Sequence, residues 1–299
     1  MENFILILLC LVLGYAIQKF HIFSEDAPKT LNQFVIFVSL PAMILLQVPK
    51  LTFSHELFIP IIIAWIVMTV TAVLTLFLSR FFGFSKEVTG SLMLVSILTN
   101  SSFLGIPIIN AYMGQSALPY IMIYDQFGTF IAFALYGTFI VSYYSHKSEM
   151  SLKIISFKII TFPPFIALIL ALSLMGVEFD ADITKVLATL ANTIVPVALV
   201  AVGLQLQLRL TRDELAPFSV SLFIKLIVAP LVAIVVVKLF GWSGEVTNVA
   251  ILEAGMSPMI TAGAMASMTG LAPKLSSSIV GYGILFSFLT TGVLFRLIA

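Results

Sequence analysis

Asn100-Ser101-Ser102-Phe103-Leu104-Gly105-Ile106-Pro107 sits in the middle of an uncharged run that extends from Val88 to Tyr124. A helix crosses a bilayer with about 20 mostly apolar residues. The run is therefore too long for one span, and the cluster Met113-Gly114-Gln115-Ser116 divides it near Gly114. Inside the first part, Pro107 removes a backbone hydrogen bond and frees a carbonyl, while Gly105 lets the chain unwind. Such freed groups are tolerated at membrane depth only where protein or a water-filled cavity satisfies them. The signature returns in Gly255-Met256-Ser257-Pro258, whose proline follows Pro107 by 151 residues. Pro41, in Leu40-Pro41-Ala42, and Pro196, in Val195-Pro196-Val197, recur at a spacing of 155. Matching breaks half a chain apart predict discontinuous helices at a substrate site, the plan of inverted-repeat secondary transporters, with two simple kinks as the plainer alternative.

Composition points to the same solvent. The chain has 299 residues, 60% apolar and 10% charged, with a mean hydropathy of +1.14. Soluble domains carry about 25% charged residues, so a cytosolic enzyme is excluded and one integral membrane unit is expected. The charges balance to +1 without a basic or acidic block, and no nucleic-acid partner is expected. Cys10 is the single cysteine and has no partner for an intrachain disulfide. His21, His55 and His146 fall in polar joints without metal-ligand spacing, so neither a metal nor an organic cofactor is expected. No nucleophile–base pair and no nucleotide-binding loop suggests an enzyme.

Charged residues cut the chain into the uncharged runs 3–18, 30–49, 57–79, 88–124, 126–145, 159–177, 186–208, 254–273 and 275–295. Splitting 88–124 at Gly114, accepting 215–240 with Lys225 inside it, and starting the ninth span near Glu245 with Glu253 inside it gives ten spans. The N-terminal run lacks a basic region before it and is read as the first helix rather than a cleaved signal. The joints after helices 1, 3, 5, 7 and 9 hold Lys19, Lys29, Arg80, Lys86, Lys147, Lys153, Lys158, Arg209, Arg212 and Lys274. The other side holds only Lys50, Lys185, Lys238 and Arg296, so both termini are expected outside the cytoplasm. Residues 1–145 then form a first five-helix repeat, 146–158 a short cytoplasmic linker, and 159–299 a second, inverted repeat.

The motif from Asn100 to Pro107, with the turn at Gly114, resembles the Asn-to-Gly-Ile-Pro motif of the auxin efflux carrier family. Asn32-Gln33-Phe34-Val35 with Pro41 is similar to that family's second helix, and Gly255 to Pro258 to its ninth; the likeness covers nearly the whole chain. The resemblance is to a bacterial member. It implies an all-α membrane protein of ten helices in a five-plus-five inverted repeat shared with the bile-acid sodium symporters. It also implies broken helices 4 and 9 that cross, and carriage of organic anions. Plant members move auxin, and bacterial relatives include candidate malate and malonate carriers. The chain departs from the plant pattern in joining helices 5 and 6 by only about Ser145 to Phe157, and in carrying Glu253 where the plant helix is uncharged.

An ionisable side chain at mid-membrane costs about 2.5–3.5 kcal/mol to insert, so each asks for a reason. Asp125 and Glu253 lie at similar depth from the outer face and are the candidate ion-coupling residues, able to hold a proton between them or to bind Na⁺. Lys225 either snorkels to the interface or serves as a counter-charge for the substrate or an acid. Asn100, Ser101, Gly105, Pro107, Gln126, Gly255, Ser257 and Pro258 are the candidate substrate-binding residues: polar side chains that orient a carboxylate, or breaks that expose backbone groups and a positive helix end. The expected function is secondary transport of a small organic anion such as malate, malonate or an auxin-like acid by alternating access, driven by an H⁺ or Na⁺ gradient or by efflux down the anion's own gradient. A membrane sensor that keeps the fold but moves nothing is the alternative. Expected partners are the anion and the lipid bilayer, with a homodimer left open.

Overall fold

The computed structural model describes residues 2–50, 55–145, 157, 160–206, 208 and 210–298. Nearly all of the 146–158 linker, with His146, Lys147, Lys153 and Lys158, lies outside the described residues, as does Arg209. The helices are α1 (Glu2–Lys19), α2 (Ala27–Lys50), α3 (His55–Phe81), α4 (Lys86–Val95), α5 (Ile106–Met113) and α6 (Gln115–Tyr144). They continue as α7 (Pro163–Ser173), α8 (Ala181–Leu204), α9 (Arg212–Phe240), α10 (Glu245–Ala254), α11 (Ile260–Met268) and α12 (Pro273–Ile298). Six of these, α2, α3, α6, α8, α9 and α12, are long and apolar enough to cross a membrane. Among the described residues there is no strand, only one isolated bridge.

Local chemistry sets the ends. Ser85 caps α4 by accepting from the Val88 amide at 3.2 Å. Thr211 and Glu214 form a capping box at the start of α9. Gly114, at φ +83°, turns the chain between α5 and α6, where an L side chain would be strained.

On the long helices, small and polar residues are buried among apolar ones, while large apolar side chains are exposed. One stripe of α3 buries Ile63, Val67, Thr71, Thr75 and Ser79, while Val70, Val73, Phe77 and Phe81 are exposed. On α12, Gly283, Ser287 and Thr291 are buried, and Leu285, Leu289, Val293 and Leu297 are exposed. A soluble helix hides its apolar stripe; here the exposed surface is the one that lipid solvates.

The helices pack in two groups. α1, α2, α7 and α8 lie against one another, and α3 packs with α6, α9 and α10 while α11 and α12 pack with α4. The closest approach in the first group is between α1 and α8. A Cβ built on Gly14 would meet the Val200 carbonyl and lie 2.9 Å from Gly203 Cα, and one built on Gly203 would meet the Leu11 carbonyl. Small residues bring the two backbones together, the usual means of tight packing in lipid. Ser39 and Thr193 add a hydrogen bond of 2.7 Å between α2 and α8. In the second group, Trp65 Nε1 donates to the Phe127 carbonyl in a π turn of α6 (3.0 Å), and Tyr136 donates to the Met93 carbonyl of α4 (2.8 Å).

Candidate functional site at the crossing of two broken helices

The helix that begins at Lys86 ends at Val95 and resumes, through a π turn at Ser101–Gly105, as α5. The helix that begins at Glu245 ends at Ala254 and resumes at Ile260 as α11. Between them, Thr99 and Pro258 form an antiparallel bridge. The Asn100 amide donates to the Ser257 carbonyl (3.0 Å), and the Met259 amide donates to the Leu98 carbonyl (3.0 Å). Asn100 Nδ2 adds a bond to Ser257 Oγ at 3.3 Å. Thus each unwound segment satisfies the other's backbone, which is what buried irregular chain requires. Helix breaks were expected at Gly105–Pro107 and Gly255–Pro258. The second stands there, but the first lies upstream at residues 96–100, and Pro107 falls just after the π turn Ser101–Gly105, which runs on into α5 and accommodates its missing N–H.

Two carboxylates meet the Ser101–Gly105 turn. Asp125, buried on α6, accepts from Ser101 Oγ, from Ser102 Oγ at 2.6 Å and from Gln126 Nε2 at 2.6 Å. Gln126 Oε1 itself accepts nothing. Glu253, fully buried at the end of α10, has neither oxygen in a hydrogen bond. Its carboxyl lies against Gly105: a Cβ added to that glycine would come within 2.5 Å of Oε1 and 2.8 Å of Oε2. The absent side chain at position 105 is what leaves room for this carboxyl.

Lys225 does not snorkel. It is fully buried, and its ammonium donates to Thr99 Oγ1 (2.6 Å) and to the Ala254 carbonyl (3.1 Å). With both bonds made inside the bundle, the interface offers it nothing further. The sequence reading also passed over Thr99 and Ser102. A π turn carries Ser102 round to the same carboxylate oxygen as Ser101, and no residue pattern announced that turn.

Two large cavities flank the crossing. One, of about 690 Å³, is lined by Leu6 and Ile7 of α1, Gln47 and Lys50 of α2, Pro107 and Asn110 of α5, Gln115, and Thr184 and Asn192 of α8. The other, of about 580 Å³, is lined by Gln18 of α1, His21, Glu25, Pro28 of α2, Leu204 and Gln205 at the end of α8, and Ile260 and Ala264 of α11. Opposite ends of α1, α2 and α8 line the two, so the cavities open toward opposite ends of the bundle. Of the eight candidate substrate-binding residues, Pro107 lines the larger cavity. Asn100 and Ser257 are bonded to each other, Ser101 and Gln126 to Asp125, and Gly255 packs against Leu294. Gly105 backs Glu253, and Pro258 holds the bridge.

A family model described as membrane transport protein matches residues 1–295. An uncharacterized transporter of Methanocaldococcus jannaschii is 26% identical over 299 residues, an alignment that takes in 97% of this chain and 96% of that protein. An uncharacterized transporter of Methanothermobacter thermautotrophicus is 26% identical over 283 residues, 93% of this chain and 92% of that protein.

Proposed function

Since the chain belongs to the membrane transport protein family, that of the auxin efflux carriers, we propose that it carries a small organic anion across the membrane by alternating access. It is a multi-pass membrane transporter and not an enzyme. In the proposed arrangement the six long helices, the shorter α1 and α7, and the interrupted pairs α4–α5 and α10–α11 make ten spans in a five-plus-five inverted repeat. Residues 1–145 and 159–299 are the two halves, and both termini lie outside the cytoplasm.

The observation that carries the reading is the crossing itself, a buried joint of two unwound segments with an unpaired carboxylate beside it and a cavity toward each end of the bundle. Unwound segments at the bilayer centre are where secondary transporters hold substrate and coupling ion. The larger cavity favours an anion: Lys50 lines it together with the amides of Gln47, Asn110, Gln115 and Asn192, and among the described residues no acidic side chain does. The cavity at the other end carries Glu25 and His21 instead. Malate, malonate and auxin-like acids suit the first lining, with carboxylates for Lys50 and the amides to bind. Glu253 and Asp125 are proposed as the groups that take the coupling H⁺ or Na⁺.

Flux of radiolabelled malate, malonate and indole-acetate into proteoliposomes, under imposed pH and Na⁺ gradients and without them, tests the proposal. Accumulation of at least one acid that follows one gradient is the expected result. No uptake of any of the three under any gradient would overturn it.

A further inference from the structure

Lys225 lies in the π turn Ile224–Val228 of α9, and its two acceptors belong to different broken helices. Thr99 is in the first unwound segment, while Ala254 closes α10 at the edge of the second. The last carbonyls of a helix have no intrahelical partner and carry the negative end of its dipole, so a cation is the favoured neighbour there. Unwound carbonyls and half-helix C-termini are also the groups with which broken-helix carriers coordinate monovalent cations. The adjacent Glu253 carboxylate attracts the amine through space but makes no hydrogen bond to it, so the two direct bonds are those to Thr99 and Ala254.

We infer that the Lys225 ammonium is a tethered, resident cation of the crossing, seated in a position built for a monovalent cation and never released from it. The covalent tether keeps the position filled at every stage of the cycle, whatever the ion composition on either side. On the organic-anion reading above, no ion is carried at this position, and coupling is left to the carboxylates. The geometry of the position does not depend on that reading.

The test removes the tether and offers the cation from solution. Purified Lys225→Ala should melt below wild type, and propylammonium or methylammonium should raise its melting temperature by about 2–4 °C, as a ligand that binds only the folded state does. Tetramethylammonium, which has no N–H to donate, should leave it unchanged. Wild type and Lys225→Met, whose side chain fills the space, should not respond to any of these ions. A folded Lys225→Ala that ignores every primary ammonium overturns the inference, and so does an equal response in Lys225→Met. If Lys225→Ala is not recovered, Lys225→Arg and Lys225→Gln decide. Higher folded yield of the charged variant supports the resident cation, and equal yields or a higher yield of the amide refute it. The melts need no transported substrate, so wild-type protein without flux but with the expected melts would overturn the organic-anion reading alone.

Discussion

Asp125 and Glu253 meet the same five-residue turn and are treated in opposite ways by it. Asp125 receives hydrogen bonds from Ser101, Ser102 and Gln126, whereas Glu253 receives none and lies against the bare backbone of Gly105. A buried carboxylate with three donors has its charge stabilised where it stands. One with no donor has only the field of the nearby Lys225 ammonium to offset its burial, and gains most from taking up a proton or a further cation. Burial is alike for both, so the lesson lies in the partners: Asp125 organises the turn, and Glu253 is the better candidate for the group that exchanges an ion.

The largest effect expected from breaking this contrast is on Asp125. Asp125→Ala orphans three donors, two of them buried, and should cost about 3 kcal/mol or more, read as loss of folded protein in size-exclusion profiles after detergent extraction. Asp125→Asn keeps one acceptor oxygen and should melt between that variant and wild type. If Asp125→Ala is as stable as wild type, the organising role is wrong.

Gly105→Ala comes next. The added methyl meets the Glu253 carboxyl rather than a flexible apolar chain, and overpacking of this kind costs about 1–3 kcal/mol. Paired with Glu253→Ala, which removes the obstacle, the same change should cost far less. Additive penalties in that double-mutant cycle would mean that the two residues do not touch.

Glu253→Gln should move stability by less than about 1 kcal/mol, because no hydrogen-bond partner is orphaned. Its effect belongs to flux: gradient-driven accumulation should fall at least about tenfold while exchange of internal for external substrate persists. Gradient-driven uptake at the wild-type rate removes Glu253 from coupling. The smallest effect belongs to Pro107→Ala, within about 0.5 kcal/mol, since the π turn Ser101–Gly105 before it already accommodates the missing amide. A loss of several kcal/mol would place the first break at the proline after all.

The membrane character, the turn at Gly114 and the second break at Gly255–Pro258 are legible in residue types, because apolar length and Gly-Pro chemistry act locally. The first break is not. Residues 96–100 contain neither glycine nor proline, and they leave the helix because Leu98 and Asn100 find backbone partners in Met259 and Ser257. That is a tertiary decision, invisible to a window of sequence. Lys225 is a similar case: its number of residues from the helix end suggested an escape to the interface, while its two acceptors lie 126 and 29 residues away in the chain. Asn100, Ser101, Ser257 and Gln126 were singled out for their polarity, and all sit at the crossing. What single residues could not reveal is that they bond to one another and to Asp125, so that the larger cavity is lined instead by Gln47, Lys50, Asn110 and Asn192.

The pair of acceptors around Lys225 has a consequence for biogenesis. During synthesis Thr99 has left the ribosome well before α9, but Ala254 follows Lys225 by 29 residues. The lysine therefore reaches the translocon with one of its two partners still inside the ribosome, and α9 is a hydrophobic segment with a charge still to be neutralised. Stable partition of α9 into lipid waits on the arrival of α10, which couples insertion of the two helices in time. Chains stalled between them should be the ones that quality-control proteases reach first.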